Sequence, residues 1–289
     1  MKTIAIKDNI CVKGEAATCG MKMLENFIPP YNATVVDRLN ANEFTVTRES
    51  ADLMLSSSTG EHSSPLQGIM LKPTRGAVSR YGLITATPSL EEITIIGKTV
   101  NDVEELFNIV RGVDEKDSTT VAGKNVDIPA NIKIGELHEI EYASTAHKII
   151  ACGETFSNLA KFDGMKFGYR SENAETLTEL YENTRAEGFD YDTKLKILLG
   201  GVVLGREYRH LYYDRAVRAR AKICEDVNAV LETCDVIVTP LGGNYAVIPN
   251  LTGLPAIVVG DKQIIGRKFS EELLLMVAKT MENGGANNA

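Results

Sequence analysis

Nine consecutive residues concentrate the chain's candidate nucleophiles. Residues 56 to 64 read SSSTGEHSS: five serines with a glycine, a glutamate and His62. A serine attacks a carbonyl only when a base sits within hydrogen-bond reach and fixed donors face the developing oxyanion. The stretch lacks the G-x-S-x-G elbow of the α/β-hydrolases. His62 and Ser63 are neighbours in sequence, and neighbours rarely point at each other, so a triad would need its base from elsewhere. The other histidines, His138, His147 and His210, stand in no context that marks a base. Serine-rich segments are also ordinary turn chemistry, and composition predicts a loop over 56 to 64.

Lys7 is the second candidate. It ends an apolar run in IAIKDN. A lysine buried there would have a lowered pKa and could act as a general base. The plainer alternative is an ammonium reaching water from a strand end. Tyr169 and Arg170 lie in KFDGMKFGYR, a glycine-punctuated basic and aromatic stretch able to line a pocket. Arg215, Arg218 and Arg220 follow one another on a predicted helix. An arginine facing a pocket suits a carboxylate, although such arginines more often form a solvated face.

These residues need a scaffold. TIAIKDNICV predicts a strand ending near Lys7 to Asn9. ATVVDRLNAN predicts a short helix with Val35, Val36 and Leu39 on one face. Residues 68 to 90 are short apolar runs cut by Pro73, Gly76, Gly82 and Pro88, which predicts strands and tight loops. TVNDVEELFNIVRG predicts a helix capped by Thr99 or Asn101 and ended by Gly112. Residues 113 to 135 read as a connecting region. Helices are then predicted over AHKIIACGETFSNLAKF and NAETLTELYENTRAEG, and one long helix over residues 206 to 234 with Leu211, Ala216, Ala219, Ile223, Val227 and Val230 inward. DVIVTP and LPAIVVG predict buried strands. SEELLLMVAKTMENGG predicts a final helix capped by Ser270 and ended at Gly284. The mixture predicts an α/β fold, a mixed β-sheet sandwiched between helices, in one domain spanning 1 to 289.

Composition narrows the classes. The chain has 289 residues, 44% hydrophobic and 24% charged. That is enough apolar material for a core without a metal or disulfide. Its net charge is −8 with a pI near 5.2, which disfavours direct binding to nucleic acid. The five cysteines, Cys11, Cys19, Cys152, Cys224 and Cys234, include no CxxC pair and no zinc-like spacing. They read as reduced thiols of a cytoplasmic protein, with no cofactor expected. No signal peptide is expected at the start, and no apolar run approaches bilayer length.

Several segments together resemble one family. They are IAIKDNICVKG, TCGMKMLENFIPPYNATVVDRL, LKPTRGAVSRYGLI, DEKDSTTV, SNLAKFDGMKFGYRSENAETL, TRAEGFD, CDVIVTP and NLTGLPAIVV. They run nearly end to end and resemble the amidase-signature family, specifically the A subunits of glutamyl-tRNA(Gln) amidotransferases. The resemblance implies a Ser–Ser–Lys triad that releases ammonia from glutamine for a B subunit. Lys7 matches its lysine. Tyr169 matches a tyrosine near the substrate, and Arg220 matches, by its distance from DVIV, an arginine that holds the glutamine carboxylate, with Arg218 as the fallback.

The chain departs from that pattern where the chemistry lies. Only residues 40 to 70 separate VVDRL from LKPT, and the family's Gly/Ser signature segment is missing there. Shorter gaps follow Gly135 and Pro240, and GGNYAVIPN supplies no acid for a glutamine amino group. SSSTGEHSS aligns either with a turn preceding the signature or with the nucleophile loop, which would put Glu61, His62 and Ser63 in place of Gly-Gly-Ser. Either alignment supplies at most one of two serine sites. The resemblance and its losses together imply a degenerate amidase-signature protein, a pseudoenzyme acting as a binding or scaffold protein. Its partners would resemble the B or C subunits, or it would form a homo-oligomer, since lost segments expose edge or apolar surface. The alternative is an active amidase or glutamine amidotransferase component with a rebuilt site. Lys7 would then be the base and Ser63, Ser58 or Ser57 the nucleophile.

Overall fold

The computed structural model describes residues 2–59, 68–123 and 126–286. Strand β1 (Thr3–Ile6) is followed by a single 3-10 turn, helix α1 (Thr34–Ala41), β2 (Thr45–Thr47), β3 (Leu53–Ser58), β4 (Ile69–Lys72) and β5 (Glu92–Gly97). Helix α2 (Val100–Val110), β6 (Ile134–Glu136), α3 (Ala143–Leu159), α4 (Leu177–Gly188), α5 (Tyr191–Leu204) and α6 (Tyr213–Thr233) come next. The chain then forms β7 (Val236–Pro240), the short helices α7 (Gly243–Ala246) and α8 (Ile248–Thr252), β8 (Ala256–Val259), β9 (Lys262–Gly266) and α9 (Glu271–Ala286).

The strands make one mixed sheet in the order β2-β1-β3-β5-β4-β8-β9-β7-β6. β1 pairs parallel with β2 and β3, and β6 pairs parallel with β7, whereas the central strands pair antiparallel. Side-chain alternation splits β7, β8 and β9 between two cores. Ile257 and Ile264 join Ile4, Leu55 and Ile95 under Leu106 and Phe107 of α2 and Leu273 and Leu274 of α9. Their neighbours Ala256 and Ile265 face the other way, toward Ile150 of α3, Ile223 and Val227 of α6 and Leu251 of α8. This is the predicted α/β sandwich.

Local chemistry sets the elements. α2 begins in a full capping box: Thr99 accepts from the Asp102 amide while Asp102 accepts from the Thr99 amide. Val103, Leu106, Phe107 and Val110 form its buried stripe, and Gly112 follows at φ 126°. Lys72, from the LKPT motif, is 1% exposed and donates to the carbonyls of Pro73 (3.0 Å) and Leu254 (2.9 Å). Burial pushes its pKa down to about 8.

Three expectations change. Ser56, Ser57 and Ser58 are not loop residues. They end β3, paired with Thr94, Ile93 and Glu92 of β5; the apolar alternation starting at Leu53 carries the strand into the serines. The predicted long helix over 206 to 234 starts only at Tyr213, because the chain turns after Gly205, whose amide donates to Val202 at 3.0 Å. Leu211 in that turn is 40% exposed rather than inward. Residues 191–204, unassigned from sequence, form α5. Its apolar residues lie on both sides, with Val203 buried and Tyr191, Leu195 and Leu198 exposed, so no amphipathic period marks it.

The segment after β1 is held by the loop around Gly82. Cys11 donates to the Gly82 carbonyl (2.8 Å), Ile84 to Asn9 (2.8 Å) and Ala33 to Cys11 (2.8 Å). Gly82 has φ 85°, and a Cβ there would fall 2.4 Å from Ala33 Cα. Gly82→Ala is therefore expected to cost about 3 kcal/mol or more in urea unfolding; unchanged stability would contradict this packing.

Candidate functional site

Lys7, Asp8 and Asn9 leave the end of β1 and face a cleft of about 590 Å³ that they share with Thr59, Thr85, Thr87, Glu91 and His147. Lys7 is exposed. Its ammonium donates to the Ser57 carbonyl at 3.5 Å. The Ser57 hydroxyl is occupied differently, accepting from Asn9 Nδ2 at 2.7 Å. Asn9 Nδ2 also donates to Glu91 Oε1 at 3.1 Å, and the Thr85 hydroxyl donates to Glu91 Oε2. Asn9, Ser57 and Glu91 are all buried. Asn250 clamps the next residue, donating to the carbonyls of Ser58 (2.8 Å) and Leu90 (2.7 Å). His147 Nε2 meets the Thr59 carbonyl.

A base and nucleophile need about 3 Å between them. The Lys7 contact is longer and ends on a carbonyl oxygen, which has no proton to give. Asp8 is equally engaged. Its carboxylate accepts from the Thr18 amide (3.0 Å), the Thr18 hydroxyl (2.6 Å) and the Gly20 amide (3.3 Å). Burial works to raise its pKa, but these hydrogen bonds outweigh it and hold the carboxyl below its usual range. Cys19, also on the cleft, is no thiolate: burial, then the nearby charges of Asp8 and Glu91, push its pKa up to about 12. Among the described residues no group of His, Cys, Asp and Glu could hold a metal ion, and no helix is long and apolar enough to cross a membrane.

The residues singled out in sequence scatter. Ser63 and His62 lie outside the described residues. Ser57 meets Lys7 through its backbone carbonyl, whereas the Ser58 carbonyl is held by Asn250. Tyr169 borders a second cleft of about 580 Å³ with Phe27, Tyr31, Phe162 and Phe167. Its hydroxyl donates to Glu187 Oε2, and the Lys22 ammonium sits 3.9 Å from its ring centroid. Arg220 on α6 is a staple between elements: Nε donates to the Leu251 carbonyl (2.7 Å), and the guanidinium donates to the Ser89 hydroxyl (2.8 Å) and carbonyl (2.9 Å). Arg218, two residues earlier, is exposed. Sequence reasoning passed over Asp8, Asn9, Glu91 and His147. The first two were visible in IKDN directly after Lys7, whereas Glu91 and His147 reach the cleft only through the fold.

Two measurements check this geometry. Arg220→Ala should lower unfolding stability by roughly 2 kcal/mol through the lost staple; unchanged stability would contradict a structural role. Iodoacetamide should modify Cys19 at pH 8 roughly a thousandfold more slowly than an unstructured thiol, followed by peptide mass spectrometry. An ordinary rate would contradict the raised pKa.

The amidase family model matches residues 3–64, 65–137 and 127–250. The A subunit of the glutamyl-tRNA(Gln) amidotransferase from Lachnoclostridium phytofermentans is 30% identical over an alignment of 406 residues, covering 96% of this chain and 82% of the relative. The crystal structure of the corresponding protein from Thermotoga maritima has a TM-score of 0.70 at 25% identity, covering 96% of this chain and 82% of that one. A peptide amidase from Stenotrophomonas maltophilia shares the fold, with a TM-score of 0.75 at 17% identity, covering 98% of this chain and 82% of that one. An alignment of 406 residues against a chain of 289 leaves a long stretch of the relative unmatched, as the short spacing from VVDRL to LKPT requires. The family model and these relatives agree along almost the whole chain, which belongs to the amidase family.

Proposed function

We propose that this chain is a reduced amidase-family protein that binds a ligand in the Lys7 cleft without hydrolysing amides. One observation carries the reading. The Lys7 ammonium ends on the Ser57 carbonyl at 3.5 Å, while the Ser57 hydroxyl is held by Asn9 at 2.7 Å. A lysine base in that position meets the Ser57 carbonyl oxygen and not the hydroxyl whose proton it would have to take. Ser58 likewise belongs to β3, with its carbonyl held by Asn250. The missing Gly-rich segment would also have supplied the backbone donors for an oxyanion, which loop serines cannot replace.

The relatives are named as the A component of a glutamyl-tRNA(Gln) amidotransferase, which supports a partner of B- or C-subunit type, or a second copy of this chain. Tyr191 at 76% and Leu198 at 69% exposure on α5 support such a partner-facing surface. The chain is read as one domain working in the cytoplasm without a cofactor.

Ammonia release from glutamine tests the proposal. The purified chain, and the chain mixed with B- and C-type subunits, should release ammonia no faster than Lys7→Ala does. Release that Lys7→Ala or Ser63→Ala abolishes would overturn the proposal and establish a rebuilt hydrolytic site.

A further inference from the structure

The Lys7 cleft and the aromatic cleft are not separate. They share Leu24, Ile84, Thr85, Lys161 and Phe162. Each volume, about 590 and 580 Å³, falls in the range of small-molecule sites. Their chemistries differ. In the first cleft the acids are satisfied by the protein itself. Asp8 is held by Thr18 and Gly20, Glu91 by Asn9 and Thr85, and Asp190 by the Thr193 amide at 2.7 Å. Lys148, Lys161 and Lys196 line the same cleft, and none of them has a carboxylate partner among the ion pairs of the described residues. With Lys7, four lysines thus face three carboxylates in this cleft, a local excess of positive charge in a protein whose net charge is −8.

The second cleft has the opposite character. Phe27, Phe162, Phe167 and Tyr169 give it aromatic walls. Its polar groups are mostly taken: the Tyr169 hydroxyl by Glu187, Asn158 Nδ2 by the carbonyls of Ala86 (3.2 Å) and Glu154 (3.0 Å), and Thr85 by Glu91. An occupant gains there by burying apolar surface, not by new hydrogen bonds. Lys161 belongs to both clefts, with its ammonium 5.2 Å from the Phe162 ring centroid.

We infer that the two clefts form one site for an organic monoanion with a hydrophobic body, an aryl or short acyl carboxylate. The body occupies the aromatic cleft, and the carboxylate meets Lys161 at the junction, with Lys148 and Lys196 adding positive potential. The inference names the ligand class of the cleft proposed above as a binding site, and it rests on that proposal. Glutamine, with two polar ends, has nothing to place against the aromatic walls.

Isothermal titration with 3-phenylpropanoate, 3-phenylpropylamine and L-glutamine tests it. The carboxylate should bind saturably and at least about tenfold more tightly than the amine or glutamine. Lys161→Gln should weaken that binding about tenfold, as the loss of one charge-assisted contact does. Phe167→Ala should weaken it too. Both residues are exposed, so the variants keep their fold. Lys222→Gln, remote on α6 and paired with Asp226, should leave binding unchanged. No saturable binding at about 10 mM, equal binding of the amine, or full affinity in Lys161→Gln would overturn the inference. Glutamine turnover by a preparation that binds the carboxylate as described would sink the non-hydrolytic reading alone. Failure of carboxylate binding in a protein that turns over no glutamine would sink the monoanion inference alone.

Discussion

The pairing of β3 with β5 decides what the serines can be. Ser56, Ser57 and Ser58 sit opposite Thr94, Ile93 and Glu92, and their backbone directions are fixed by that antiparallel ladder. Two asparagines from other parts of the chain complete the restraint: Asn9 takes the Ser57 hydroxyl and Asn250 the Ser58 carbonyl. A serine nucleophile needs a mobile proton, an aligned base and nearby donors. Ser57, at the end of a buried strand, meets the Lys7 ammonium only through its carbonyl, so no lysine base is aligned with its hydroxyl. The same ladder places Leu55 in the core beneath α2 and α9, so freeing the serines would disturb the sheet itself.

The cleft keeps its shape because the fold needs the segments around it. The chain after β1 is tied to residues 82–84 by two backbone hydrogen bonds, at Asn9 and Cys11, and to Ala33 by a third, which fixes Lys7 and Asp8 at the rim whatever chemistry they perform. Arg220 and Arg75 both donate to the Ser89 turn. The cleft sets Lys7, Lys148, Lys161 and Lys196 against Asp8, Glu91 and Asp190, whose carboxylates accept from neutral donors. Such a cleft selects ligands by charge and apolar bulk.

The sequence was most legible where one local rule was enough. The candidate cap at Thr99, the stripe from Val103 to Val110 and the stop at Gly112 made α2 readable. The family was readable from long motifs such as LKPTRGAVSRYGLI. Legibility failed where tertiary context won. Serine composition suggested a loop at 56 to 58, but partners on β5 made a strand. α5 carries apolar residues all round, because one side packs on α3 so closely that a Cβ at Gly200 would fall 2.2 Å from the Cys152 carbonyl, and no period emerges. At the site, Lys7 was visible as a strand-end lysine, but its orientation toward a carbonyl was not. Glu91 and His147 were hidden because only the folded sheet brings them to Lys7.

The central claim is that no serine of this chain is an activated nucleophile. A fluorophosphonate probe reports that property directly, since it reacts covalently with activated serines and spares ordinary ones. The folded chain, incubated with the probe and weighed intact by mass spectrometry, should show no adduct. An adduct on Ser57, Ser58 or Ser63 that Lys7→Ala prevents would contradict the account.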